Sequence, residues 1–165
     1  MGIRLLVCGG RDFSNMALAK HVLNKINERY RVDVVIHGAA KGADSCAAYW
    51  ADDERKIEFR FPANWALHGK RAGFLRNEEM ISIGQPNMVV CFPGGAGTAH
   101  MKNTALKYPH IHVIEVVASD AAKPEIVTHH HAIYPISTVI PQGTLVKTPP
   151  VKKSPRIIRR VTKAG

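Results

Sequence analysis

Three apolar runs in this chain end in glycine: "LLVCGGRDF" at residues 5–13, "VVIHGAAKGADS" at 34–45 and "VVCFPGGAGT" at 89–98. A short apolar run closed by glycine is how a buried strand passes into a tight turn. After the first turn Ser14 is placed to cap a helix, whose apolar positions Met16, Ala19, Val22, Leu23 and Ile26 recur at spacings of three and four. The same grammar continues along the chain. Strands are expected at Ile3–Val7, Val32–Ile36, Ile57–Phe61, Met88–Phe92 and His110–Val117. Helices are expected from about Ser14, from the second turn to about Arg55, over Lys70–Ile83 and over Gly97–Lys107, with a long loop at Pro62–Gly69.

Strands alternating with helices in this way form βαβ units, whose strands lie parallel in one sheet and whose crossovers are right-handed. The fold class is therefore α/β, a doubly wound, mainly parallel sheet with helices on both faces. Such sheets bind ligands beyond the carboxyl ends of their strands, where helix N-termini point into the crevice. All three glycine turns fall on that edge. A bare turn leading into a helix offers unpaired backbone N–H groups and the positive end of the helix dipole, a combination suited to phosphate. The spacing is neither GxxxxGK[ST] nor GxGxxG, so neither Mg-ATP chemistry nor a dinucleotide fingerprint follows.

Charge is unevenly spread. The net charge is +10, but Lys147–Gly165 holds seven basic residues and no acidic one, leaving 16 basic against 13 acidic side chains in residues 1–146. The organisation expected is a nucleotide-binding domain over 1–118, an extension over 119–146 and a basic tail over 147–165. The extension carries strand-like pieces broken by Pro135, Pro141 and Gly143. The tail is a possible contact for nucleic acid. No stretch reaches the roughly 18 apolar residues of a membrane span, and no signal-peptide pattern opens the chain, so a cytoplasmic protein without a membrane partner is expected. Cys8, Cys46 and Cys91 lack CxxC spacing and read as packing thiols. His129–His131 reads as a solvated or interface patch, since adjacent strand residues alternate faces. No metal and no cofactor are expected.

The segments "GGRDF", "HGAAKGADSCAAYWA", "FPANW", "GKRAGFLRNEEM" and "FPGGAGT" occur in the order and spacing of the YspA-type proteins of the SLOG superfamily, related to the LOG phosphoribohydrolases and to DprA. The resemblance covers about residues 1–117. It implies a Rossmann-like three-layer sandwich that binds a nucleotide or a nucleotide-derived signal, of ADP-ribose, cyclic ADP-ribose or cyclic-oligonucleotide type, as a sensor or sequestering protein. It also implies a homodimer or higher homo-oligomer. Carried over residue by residue, the ligand set is Gly9, Gly10 and Arg11; His37, Gly38, Lys41, Gly42, Ala43 and Asp44; Trp65; Arg76 and Asn77; and Pro93, Gly94, Gly95, Gly97 and Thr98.

Several of these carry a second reading. Asp44 either caps its helix or accepts from ribose hydroxyls. Arg76 either clamps a phosphate or makes a surface ion pair with Glu79. Trp65 either stacks on a base or closes the sheet edge from within the core. LOG enzymes continue the third turn as PGGxGTxxE, and the glutamate position is Met101 here. A thioether can be neither general acid nor base. Substitutes would have to come from Asp44, Glu78 or Glu79, and His100 lies about 100° round the helix and faces a neighbour or solvent. No catalytic residue is therefore assigned. A phosphoribohydrolase cleaving an N-glycosidic bond and a DprA-like nucleic-acid binder stand as the alternatives.

Overall fold

A computed structural model of the protein describes residues 2–117 and 125–129. The extension beyond residue 129, His130 and His131, and the basic tail lie outside the described residues, as does the linker at 118–124.

The chain runs β1 (Ile3–Cys8), α1 (Met16–Tyr30), β2 (Val32–His37), α2 (Ala43–Asp53), β3 (Ile57–Arg60), α3 (Trp65–His68), a single 3₁₀ turn at Gly69–Arg71, α4 (Ala72–Ser82), β4 (Met88–Cys91), α5 (Ala96–Ala105), β5 (His112–Val117) and β6 (Glu125–His129). Among the described residues six strands form one sheet in the order β3-β2-β1-β4-β5-β6. The first five pair in parallel, and β6 pairs antiparallel to β5 with Val113 opposite His129 and Val117 opposite Glu125. From β1 the chain winds outward through β2 and β3, then returns to the other side of β1 and winds through β4 and β5. The sheet is the doubly wound one expected, with its switch point between β1 and β4.

Alternation along β1 and β4 divides the core into two layers. Leu5, Val7, Val90 and Phe92 pack under α1 and α2 against Ala19, Leu23, Ala47 and Trp50. Leu6, Cys8, Val89 and Cys91 face the other way, against Met80, Ile81, Met101 and Ala105 of α4 and α5. Both faces are thus covered, which is why the inner strands read as unbroken apolar runs.

Three local expectations need correcting. The N-cap of α1 is Asn15, not Ser14: its side chain accepts from the Leu18 N–H at 3.0 Å. The loop expected at Pro62–Gly69 contains α3, capped by Asn64, whose side chain accepts from the Leu67 N–H at 3.0 Å. The strand β6 was not expected. Among the described residues no helix is long and apolar enough to cross a membrane.

Candidate functional site

The switch point ends on two cysteines. Cys8 of β1 lies in register with Cys91 of β4, and their sulfurs are 3.4 Å apart. Both are free and buried. The hydrogen bond to Cys91 and then burial hold the Cys8 thiol well above its ordinary range, so it is a packing group and not a nucleophile. Above this floor opens a cleft of about 900 Å³.

The turns that wall the cleft are bare for two different reasons. A β-carbon on Gly9 would lie 2.5 Å from that of Ala43, and one on Gly10 3.0 Å from the Pro93 carbonyl, which already accepts the Gly10 N–H at 2.8 Å. Gly42 has φ +82° and its missing β-carbon would strike the Gly10 carbonyl; that of Gly94 would strike the Thr98 hydroxyl. These four are glycine because the loops after β1, β2 and β4 press on one another. Gly95 and Gly97 differ. A β-carbon at either meets nothing within 4 Å, and both line the cleft. They open α5, whose first N–H groups have no partner within the helix and whose cap, Gly95, supplies no side chain.

Opposite this helix end stands Arg76 of α4. Its Nη1 donates to the Gly38 carbonyl at the end of β2 and to the Phe61 carbonyl just after β3, the latter at 3.3 Å, and its Nε donates to Asn77 Oδ1 at 3.3 Å. The guanidinium therefore reaches across the sheet edge instead of pairing with Glu79. Burial lowers its pKa, opposed by Asp44 and reinforced by Arg11. Its hydrogen-bond partners are all neutral, so no carboxylate takes up its donors and some remain for an incoming anion. Asn77 is buried and donates through Nδ2 to the Gly97 carbonyl at 3.0 Å, tying α4 to the start of α5.

Asp44 does not cap its helix. The N-cap of α2 is Gly42; the Asp44 carboxylate, 7% exposed, accepts the Ala40 N–H at 3.1 Å and lines the cleft. Burial raises its pKa, while the Ala40 N–H and then Arg76 and His37 pull it down. Trp65 is not a core residue. It is 47% exposed on α3, faces the cleft, and carries the Arg11 guanidinium 5.0 Å from its ring centroid.

Twelve of the residues singled out from sequence line the cleft: Gly9, Gly10, Arg11, Asp44, Trp65, Arg76, Asn77, Pro93, Gly94, Gly95, Gly97 and Thr98. His37, Gly38, Lys41, Gly42 and Ala43 do not. His37 is 2% exposed, accepts the Ala39 N–H at Nδ1 (3.1 Å) and sits 2.6 Å from Glu58 Oε1 through Nε2, which fixes the proton on Nε2. It shapes the turn from behind. Met101 is fully buried in the core on the α4–α5 side, and His100 turns to Phe74, their ring centroids 4.6 Å apart. The cleft also holds Asp12, Lys70 and Phe74, which the sequence reading passed over. Lys70 and Phe74 stand four residues apart in "GKRAGFLRN", beside the Arg76 and Asn77 that the sequence did single out.

A family model described as "YspA, cpYpsA-related SLOG family" matches residues 3–68, the span of the first two glycine turns and Trp65. The "Gene 61 protein" of Mycobacterium phage D29 is 42% identical over 114 residues, covering 63% of this chain and 89% of the phage protein. The chain belongs to the YspA, cpYpsA-related SLOG family. Membership of this SLOG family, together with the six-stranded doubly wound sheet, points broadly to a nucleotide-related ligand.

Proposed function

We propose that the protein holds a nucleotide-derived signalling molecule, of ADP-ribose, cyclic ADP-ribose or cyclic-oligonucleotide type, in the cleft at the β1–β4 switch point, as a sensor or sequestering protein. The observation that carries this reading is the open start of α5. Gly95 and Gly97 are bare where no protein atom requires it, and the N–H groups beside them face a cleft that also holds Arg76 and Arg11. Phosphate suits that helix end and the planar fork of Arg76. The exposed faces of Trp65 and Phe74 suit a base.

Binding without cleavage is supported by Met101. The position that carries the glutamate of the PGGxGTxxE motif is fully buried in the core here, so it presents no carboxylate to the cleft. Calorimetric titration of the full chain with ADP-ribose, cyclic ADP-ribose and cyclic dinucleotides is expected to give saturable binding by at least one of them. The ligand is expected unchanged after prolonged incubation. Absence of heat across that panel, together with no small molecule released on denaturation and detected by mass spectrometry, overturns the reading.

One observation favours a hydrolase as the second reading: Asp44 is a buried cleft carboxyl whose pKa is raised by burial, the condition of a general acid. Release of free base from nucleoside monophosphates, abolished by Asp44→Asn, would establish it.

A further inference from the structure

The outer edge of β3 is self-complementary. β3 pairs only with β2 on its inner side, and no strand among the described residues covers the other. The Phe61 N–H donates inward to the His37 carbonyl at 2.9 Å. Since backbone direction alternates along a strand, Ile57 and Phe59 also turn their N–H and C=O groups to β2, and Glu58 and Arg60 turn theirs outward. A second strand laid antiparallel on this edge can bond only to those outward groups. If that strand is β3 of another copy, setting Glu58 opposite the partner's Arg60 satisfies both outward residues of each chain, with four backbone hydrogen bonds about a two-fold axis at Phe59.

The side chains agree with this register on both faces. On one, Phe59 meets the partner's Phe59 in the close, non-hydrogen-bonded pair. Phe59 is 40% exposed and Ile57, two residues along the same strand face, is 59% exposed, which leaves apolar surface uncovered at this edge. Arg4 fixes the ring from the inner side, its guanidinium 5.0 Å from the centroid while it donates to the Gly84 carbonyl. On the other face, Glu58 already binds its own Arg60 in a fork of 2.8 and 2.9 Å. The two-fold brings a second such pair against the first, so unlike charges alternate across the seam. Charged side chains on an edge strand usually oppose pairing; here the two are of opposite sign and two residues apart, so that in this register each meets its opposite across the seam.

We infer that two copies of the chain join through antiparallel β3–β3 pairing in this register, making one continuous twelve-stranded sheet. Antiparallel pairing sends the two clefts to opposite ends of that sheet, each complete within its own chain, so assembly and ligand binding are separable. The test is sedimentation equilibrium or light scattering of the full chain over a concentration series, with circular dichroism to confirm folding. A mass of twice 18.2 kDa is expected. Arg60→Glu turns both attractive pairs repulsive and should raise the dimer dissociation constant about tenfold or more. Glu58→Lys should do the same, and mixing these two variants should restore a dimer, because each supplies the charge that the other lacks. Arg60→Pro removes an outward N–H without touching the β2 ladder and should leave a folded monomer. A wild-type chain that stays monomeric to about 100 μM, where a Kd of about 10 μM would still register, overturns the inference. So does a dimer that survives Arg60→Pro and both charge variants undiminished.

Discussion

The guanidinium of Arg76 occupies the space that a β-carbon on Gly38 would fill, and it donates to the Gly38 carbonyl from there. A glycine in the turn after β2 thus sets the position of a cleft residue on α4, although Gly38 itself does not line the cleft. Gly38→Ala should evict the guanidinium and weaken ligand binding by about 10- to 100-fold, the worth of charge-assisted hydrogen bonds of about 1.5–3 kcal/mol. Arg76→Ala should do the same. The double variant should be no worse than either alone, since the two act through one interaction. Calorimetry on the four proteins checks this, and additive losses would show that Gly38 acts independently of Arg76.

Glycines at Gly97 and Gly42 should behave in opposite ways. Gly97 lies in α5 with open space where a β-carbon would go, so Gly97→Ala should stabilise the fold by up to about 1 kcal/mol while obstructing the ligand. Gly42 has positive φ and the Gly10 carbonyl against it. Gly42→Ala should lower stability by about 1–3 kcal/mol. Thermal melts with and without ligand distinguish them: the first variant gains melting temperature but loses its ligand shift, and the second loses melting temperature.

That contrast also marks where sequence reading stops. Strand ends, helix periodicity and the clustering of the glycine turns are local signals: β1, β2 and β4 lie within a residue of their expected bounds, and α1 begins within two residues of its expected start. Why a glycine is bare is not local. Gly94 and Gly95 are adjacent and look equivalent in "FPGGAGT", yet one is pressed by Thr98 and Gly10 and the other by nothing. Trp65 was ambiguous for the same reason: its exposure depends on α3 standing off the sheet. His37 illustrates the converse error. A titratable residue in a glycine turn resembles a ligand, and its real partner, Glu58, lies on the next strand. The strand β6 escaped because "EIVTH" is short, half polar and antiparallel, outside the βαβ rhythm that identified the others.

Acid should loosen the β2–β3 edge through Glu58. Hydrogen bonds from Arg60 hold its carboxyl below the usual value of 4.5, burial opposes them, and His37 adds to them. A carboxyl depressed in the folded state contributes stability that is fully present above its unfolded pKa and is lost as pH falls through the folded one. The wild-type melting temperature should therefore decline below about pH 4.5. Glu58→Gln should be less stable at pH 7 and show a shallower decline from pH 5 to 3. Melts across that range decide it, and an unchanged slope would remove Glu58 from the acid response.

Trp65 offers a direct optical reading of the cleft. The chain has two tryptophans; Trp50 is 2% exposed and donates through Nε1 to Asn24 at 2.7 Å, whereas Trp65 is 47% exposed over the cleft. A base stacking on Trp65 should quench its emission and leave that of Trp50 unchanged. Trp65→Ala removes little buried surface, so stability should stay within about 0.5 kcal/mol of wild type. Affinity should fall by the worth of one stacked base, about 1–3 kcal/mol, and ligand-induced quenching should vanish. Retained affinity in Trp65→Ala would mean that the base lies against Phe74 or outside the aromatic wall, with the phosphate end of the cleft carrying recognition.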